Sequence, residues 1–551
     1  MHAKARALSL ERLERRILLT TYYVSPGGSD ASAGTSSAAA FATLQHAADL
    51  VVAGDTVDVL PGTYTQGFVL GWDNPQNGTA SAPITFHAEP GAILTGPNDK
   101  TADAIDLEGA SYIIVEGFTI TNPSSTITRA GIRSVTNQNV IIRNNNVDGM
   151  GTWGIFTAFS DDILIEDNTA SRSQTQHGIY VSNSSQRPVI RGNTLFGNYG
   201  CGLHMNGDVS QGGVGVITGA LVEDNIIYDN GAGGGSGINC DGVQNSRFQN
   251  NLIYDEHSSG ISLYKIDAAE PSTGNVIVNN TIIIASDGRW AVNIQDASTG
   301  NLVYNNILLN ENPSHGSIDT SADSLSGFSS DYNAVMDRFT PDDNNFETLA
   351  QWRGGTGQDP HSFVATEAQL FTSASTSDFT LSPTSPAIDA GAVAAAPNQP
   401  PVNDLLGNAR PQGAGYDLGA YEFVQSGTPT NPPPTVTPPL TAKQKVAADK
   451  ARLAADLLAR IAARAADRKA IVAARGTDQL ALARDRRAMA ADHEDAANLT
   501  SDEEQLGADA LKLKTDLAHL SAVLAADALH WSQVLRSDRM TLGKDLKLLH
   551  K

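Results

Sequence analysis

The sequence predicts an all-β parallel solenoid with a short helix over its N-terminal end and a separate α-helical region at its C-terminus. Three observations predict it. Between residues 110 and 310 one phrase recurs, apolar-apolar-x-x-Asn-x-apolar and then Gly-apolar-x-apolar, with its asparagines at Asn145, Asn168, Asn193, Asn225, Asn251, Asn280 and Asn306. Their steps of 23 to 32 residues lie in the range of a structural repeat stacked along one axis. The repeated segments alternate apolar and polar side chains and are rich in Ile and Val, which marks strands. After residue 440 the composition turns to Ala, Leu and Arg, with Leu453, Leu457, Leu458 and Ile461 at helical spacing.

Taken in order, residues 1–20 form a basic amphipathic start, MHAKARALSLERLERRILLT, expected to be a leader associated with export. Residues 42–52, ATLQHAADLVV, are expected to form the amphipathic helix that shields the open end of the solenoid. The coils are expected over 21–320 and a closing segment with loops over 321–427. Residues 428–440, TPTNPPPTVTPPL, read as a semi-rigid Pro/Thr linker. Residues 441–551 are expected to form an Ala-rich bundle or coiled coil for self-association or surface anchoring.

Aligned on the leading Gly or Ala, the second strand of each coil has inward columns. One is Ile132, Ile155, Ile179, Leu203, Ile238, Ile261 and Val292. The next holds Cys240, read as a packing thiol, and Cys201 sits too far along the strand to pair with it. Asparagine tolerates left-handed turns and bonds nearby backbone, so the repeated asparagines are expected to stack as a ladder of amides.

The chain carries 37 basic and 60 acidic residues, a net −23. Residues 21–440 hold 13 of the basic and 42 of the acidic groups, so the solenoid body is far more acidic than the whole. Nucleic acid is not an expected partner for it, because phosphate binding needs clustered Lys and Arg. No apolar run reaches the roughly 18 residues of a membrane span.

The repeats, with the opening YYVSPGGSD…FATLQHAADLVVAGDTVDVLPGTYTQ and the later SPAIDAGA…DLLGNARPQGAGYDLGAYEF, resemble the right-handed parallel β-helix proteins of the pectate-lyase-like superfamily. The resemblance covers residues 21 to about 320. It implies a right-handed β-helix, activity on a polysaccharide, and an extracellular, cell-surface or periplasmic location in a bacterium. The departures are specific. There is no Asp-rich calcium motif ahead of a catalytic lysine. Asn239–Gly242 is superficially similar to the Asn-x-Asp motif of β-helix polygalacturonases, but their other motifs are absent. No catalytic set carries over.

The chemistry is therefore sought on the outward columns, where polar side chains have no packing reason to cluster. Those columns bring His204, Asn206, Asp208, Asn239, Asp241, Tyr264 and Lys265 to one patch, with Tyr180 and Asn293 beside it. Enlarged loops follow Asn206 and Lys265. Lys265 is the only lysine between Lys100 and Lys443. Elimination beside a uronate carboxylate needs a base and a cation. Lys265 or His204 would be the base, Tyr264 or His204 the acid. Asp208 and Asp241 would hold Ca2+. Tyr180, Asn206, Asn239 and Asn293 would bind sugar. Two alternatives stay open: a non-catalytic glycan- or protein-binding surface module, and a glycoside hydrolase using Asp208 and Asp241 as acid and base.

Overall fold

The computed structural model describes residues 19–72, 76–342, 345–392 and 399–424. The leader up to residue 18, the Pro/Thr linker and the helical region of 441–551 lie outside the described residues. Within them, each coil lays one strand into each of three parallel sheets of 12, 11 and 12 strands. The first runs from Thr21–Val24 to Ser329–Asp331, the second from Phe68–Gly71 to Phe339–Thr340, and the third from Gly62–Tyr64 to Phe363–Val364. The stacking thus continues past residue 320, the boundary expected from the repeat. The last coils lack the repeated Gly-apolar-x-apolar phrase, yet their strands pair in parallel with the coils before them.

In the second sheet Ile132, Ile155, Ile179, Leu203, Ile238, Ile261 and Val292 stand in one register. They form a single apolar column with 0% exposure, as side-chain alternation along a strand requires. The leading glycines have a steric cause. A Cβ on Gly202 would meet Ile227 Cγ2 at 2.4 Å, and one on Gly154 would meet the Gly178 carbonyl oxygen at 2.5 Å. The chain turns into the second sheet too close to its neighbours for any side chain there.

The asparagine ladder is continuous. Asn225 Nδ2 donates to Asn251 Oδ1 at 2.9 Å, and Asn251 Nδ2 donates to Asn280 Oδ1 at 2.9 Å. The same Oδ1 of Asn251 accepts the Asn225 backbone N–H, and the ladder runs on to Asn333. The left-handed backbone falls one residue earlier, at Asn144, Asp167, Asp224, Asn250, Asn279 and Asn305. The paired Asn-Asn and Asp-Asn dipeptides thus divide two tasks, a turn and a rung. A second, shorter ladder passes through Ser173, Asn198, Asn230 and Glu256. Replacing Asn251 by alanine removes four buried hydrogen bonds. We expect a loss of roughly 2–4 kcal/mol in chemical denaturation, and a loss below about 1 kcal/mol would show that the rung is not a stabilising element.

Helix Leu44–Leu50 falls inside the expected 42–52 segment. It buries Leu44, Ala47 and Ala48 in one core with Val24, Val57 and Phe86. Thr43 begins it by accepting the His46 backbone N–H. Near the other end, helix Leu349–Thr356 brings Trp352 onto Phe339 with ring centroids 5.3 Å apart. A second core lies on the outer side of the third sheet, where Tyr254, Ile283 and Leu309 meet Phe371, Phe379, Leu418 and Tyr421. The segment that closes it is pinned by Arg410, whose guanidinium bonds Glu422 at 2.8 Å and the Gly419 carbonyl at 2.8 Å, both side chains of the ion pair being fully buried. Among the described residues no helix is long and apolar enough to cross a membrane.

Candidate functional site

The outer face of the second sheet carries the column Asp106, Arg133, Phe156, Tyr180, His204, Asn239, Ser262, Asn293 and Asp319, one residue per coil. The register follows the repeat alignment. At its start Arg133 pairs with Asp106 at 2.8 Å and with Glu108. Next comes a ladder of half-buried rings. Trp153 lies 4.6 Å from Phe156, Phe156 lies 5.4 Å from Tyr180, and Tyr180 stacks on His204 at 4.9 Å with planes 12° apart. Aromatic surfaces of this kind offer apolar area with fixed geometry. Trp153, which opens strand Trp153–Ala158, is part of the ladder, and Trp290 is buried.

His177 completes the cluster. The Cys201 backbone N–H donates to His177 Nδ1 at 3.0 Å, and His177 Nε2 lies 3.0 Å from His204 Nδ1. Burial holds His177 neutral, well below the usual imidazole range, with the His204 charge adding to the effect. Burial also pushes His204 down to about 4. A neutral imidazole has one N–H and one lone pair, so the network assigns both tautomers. The proton of His177 sits on Nε2, and that of His204 on its own Nε2. His204 Nε2 is buried and has no partner. His204 is therefore a fixed N–H donor with no lone pair to offer.

His177 escapes a reading by the repeated phrase because it stands one residue before the leading glycine. The useful signal was the column at that position: Trp153, His177, Cys201, Ser236, Ser259 and Trp290.

The predicted site residues divide into two groups. Asn206 and Asn239 are buried and hold tyrosines, Asn206 Nδ2 donating to Tyr180 Oη at 3.4 Å and Asn239 Nδ2 to Tyr264 Oη at 2.6 Å. Tyr264 Oη thus accepts and keeps its own hydrogen available. Burial raises its phenol far above the usual range. Asn293 Oδ1 accepts from Gln295 at 2.9 Å. Asp241 is almost fully buried. Its carboxylate takes the backbone N–H groups of Ile266, Asp267 and Ala268 at 2.9, 2.7 and 3.3 Å. Burial pushes its carboxyl up against those bonds. Asp208 bonds Ser210 and Asn183. Burial pushes its carboxyl up, but these bonds outweigh that and hold it below its usual range.

The two enlarged loops that follow Asn206 and Lys265 are tied to each other. Val209 N–H donates to the Asp267 carbonyl at 3.2 Å and Ala269 N–H to the Gly215 carbonyl at 2.9 Å.

Lys265 follows Tyr264 at the base of the second loop and is half-buried. Its backbone N–H approaches Asp296 at 3.4 Å. Among the described residues its ammonium pairs with neither Asp267 nor Glu270. Two coil steps, roughly 10 Å, separate its row from that of His204.

For a metal, calcium needs several free oxygen ligands, and the Asp241 oxygens are committed to a loop. The one His/Cys/Asp/Glu group of ligand spacing among the described residues is His177, Cys201 and His204, with atoms within 4.8 Å of one another. That set suits a soft ion. However, the thiol is pushed up to about 12 by burial, and the imidazoles are already engaged with each other.

The model of the right-handed β-helix region matches residues 97–211. The chain is similar to the uncharacterized protein YwoF of Bacillus subtilis (strain 168), 24% identical over 329 residues, which is 48% of this chain and 68% of that one. Among solved structures it is similar to pectate lyase Pel9A, with a TM-score of 0.50 and 17% identity over 73% of this chain and 96% of the other. A rhamnogalacturonan lyase aligns at a TM-score of 0.36 with 18% identity, covering 53% of this chain and 82% of that one. With three parallel sheets wound from consecutive strands, the fold is a right-handed parallel β-helix of pectate-lyase-like type.

Proposed function

We propose that this protein is a carbohydrate-active β-helix that lays an acidic polysaccharide along its second sheet and cleaves it by β-elimination. The observation that carries the reading is the ladder of Trp153, Phe156, Tyr180 and His204, with a lysine two coils further on that pairs with no carboxylate among the described residues of a strongly acidic body. Pel9A is a pectate lyase, and the common fold makes the reaction class reasonable without transferring any residue.

In the proposed step Lys265, as its neutral amine, takes the proton beside the uronate carboxylate and becomes the ammonium. The bond from the neighbouring carbon to the glycosidic oxygen breaks, and Tyr264 gives its proton to the departing oxygen. The product carries a carbon–carbon double bond. His204, whose one free N–H is buried, is not the base; its ring contributes to the ladder that supports the sugar. The residues at Asp208 and Asp241 give calcium no evident seat, so no step is routed through it. The same commitment of Asp241 leaves the hydrolase reading without its second carboxylate.

A second reading, a non-catalytic glycan- or protein-binding module, is favoured by one observation: Asn206, Asn239 and Asp241 all spend their polar atoms internally. The proposal also includes export, with residues 1–20 as leader, helix Leu44–Leu50 shielding the N-terminal end of the solenoid, and residues 441–551 as an anchoring or self-association region.

The test is incubation of the full chain with a panel of uronate polymers and neutral glycans, following absorbance of unsaturated product. Turnover on a uronate polymer supports the lyase reading. No turnover on any of them rejects it. Binding without product selects the binding module, and reducing ends without unsaturation select hydrolysis.

A further inference from the structure

A cationic cluster lies further along the same sheet, where no sequence pattern marked it. Arg289 and His315 each stand three residues before strands Val292–Ile294 and Ile318–Thr320, and Arg338 stands directly before Phe339–Thr340. Backbone bonds Ala291 N–H to Gly316 carbonyl, 3.1 Å, and Ser317 N–H to Arg338 carbonyl, 3.0 Å, stack these approaches coil on coil. The cluster therefore sits on the edge of the second sheet that carries Trp153, His177 and Cys201 in earlier coils.

Its charges are not neutralised from within. The six arginines from Arg129 to Arg191 each pair with a carboxylate. Among the described residues Arg289 and Arg338 pair with none. Two carboxylates beside them in sequence are engaged elsewhere: Asp287 bonds His257 at 2.9 Å, and Asp337 accepts the Leu349 N–H at 2.7 Å. Two N–H groups of Arg289 go to Ser258 Oγ at 3.2 and 2.7 Å. The Trp290 ring lies 5.6 Å from the His315 ring and 6.1 Å from the Phe346 ring, which brings the cluster together; burial pushes the His315 imidazole down, and the charges of Arg289 and Arg338 push it further. His315 Nδ1 is buried without a partner. Arg338 lies over the Phe346 ring at 5.1 Å, and that ring is 55% exposed. Like charges gathered beside an unpartnered imidazole nitrogen raise the energy of the free protein. An anion lowers it through charge-assisted hydrogen bonds.

We propose that Arg289, His315 and Arg338 form a subsite for the anionic group of a polysaccharide, a carboxylate or a sulfate, with Phe346 supporting the sugar ring. This rests on the polysaccharide reading above and adds where the charge of the polymer is held. A glycan running along the solenoid axis passes from the aromatic ladder to the subsite over four coil steps, roughly 19 Å.

The test is titration of the full chain with an oligogalacturonate, a sulfated dextran oligosaccharide and neutral dextran, at low and moderate salt. Wild type should bind at least one anionic probe, more weakly as salt rises. The double variant R289Q/R338Q should bind that probe at least tenfold more weakly and neutral dextran unchanged. Preference for one probe identifies carboxylate or sulfate. Circular dichroism checks folding. If the double variant does not fold, R338Q and F346A singly should each weaken the anionic probe several-fold. Equal affinity in wild type and variants, or no binding of either anionic probe, overturns the subsite. Arginine-dependent binding without product would reject the lyase step while keeping the subsite. Product formation indifferent to the arginines would do the reverse.

Discussion

Replacing Lys265 by alanine is expected to lower release of unsaturated product from uronate polymers by about 10²–10⁴-fold, the usual worth of a positioned base. The reason is local. Lys265 is the only lysine between Lys100 and Lys443, it is half-buried beside Tyr264, and its ammonium is tied to no carboxylate among the described residues. His204 cannot replace it, because the bond from Cys201 to His177 and on to His204 leaves Nε2 of His204 carrying a hydrogen, and that nitrogen is buried. Affinity for an inert oligosaccharide should change little, since the ring ladder is untouched. Initial rates across a concentration series separate the two effects, and a variant with the wild-type rate would remove Lys265 from the mechanism. Tyr264→Phe keeps the ring and removes only the O–H, so it should also reduce the rate with little change in binding.

Replacing Glu256 by glutamine is expected to stabilise the protein at alkaline pH and to flatten its pH dependence. Glu256 ends the second ladder, where its Oε1 accepts from Asn230 at 2.9 Å and its Oε2 is buried without a partner. Burial pushes its carboxyl from the usual 4.5 up to about 8. The folded state therefore holds the proton more tightly than the unfolded chain. Stability from this group is full below pH 4.5, falls as pH rises from 4.5 to about 8, and is constant above. The loss across that window is on the order of 5 kcal/mol. Glutamine supplies the same acceptor with no charge to bury, so the variant should match wild type near pH 4 and exceed it by a few kcal/mol at pH 8. His257, raised to about 10 by its bonds to Asp229 and Asp287, adds stability that is lost as pH rises from about 6.5 to 10 in both proteins. The difference between the two denaturation curves isolates Glu256. Parallel pH profiles would refute the assignment.

The sequence was most legible where the physics repeats. A strand presents alternate side chains to opposite faces, and a coil returns the chain to the same place. The Gly-apolar-x-apolar phrase was therefore enough to align Phe156, Tyr180, His204 and Asn239 in their actual register. The asparagine rungs were legible for the same reason. The left-handed residue beside each rung was assigned one place too late, because Asn-Asn leaves open which member turns. Glu256 was hidden among ladder residues because only stacking under Asn230 shows that a carboxyl occupies a rung.

What the sequence by itself determined is the coil, its register and the face on which chemistry can lie, since each follows from a period of two within a period of about one coil. What only the tertiary structure decided is which outward groups are free. Asp241 looks as available as Lys265 in the alignment, yet three backbone N–H groups of a folded loop claim it, and no carboxylate among the described residues claims the lysine. Arg289 and Arg338 look no different from Arg143 and Arg191, yet among the described residues only the latter meet carboxylates in the coils beside them. Availability is a matter of desolvation and of partners brought from other coils and loops, and those distances are written in no local pattern.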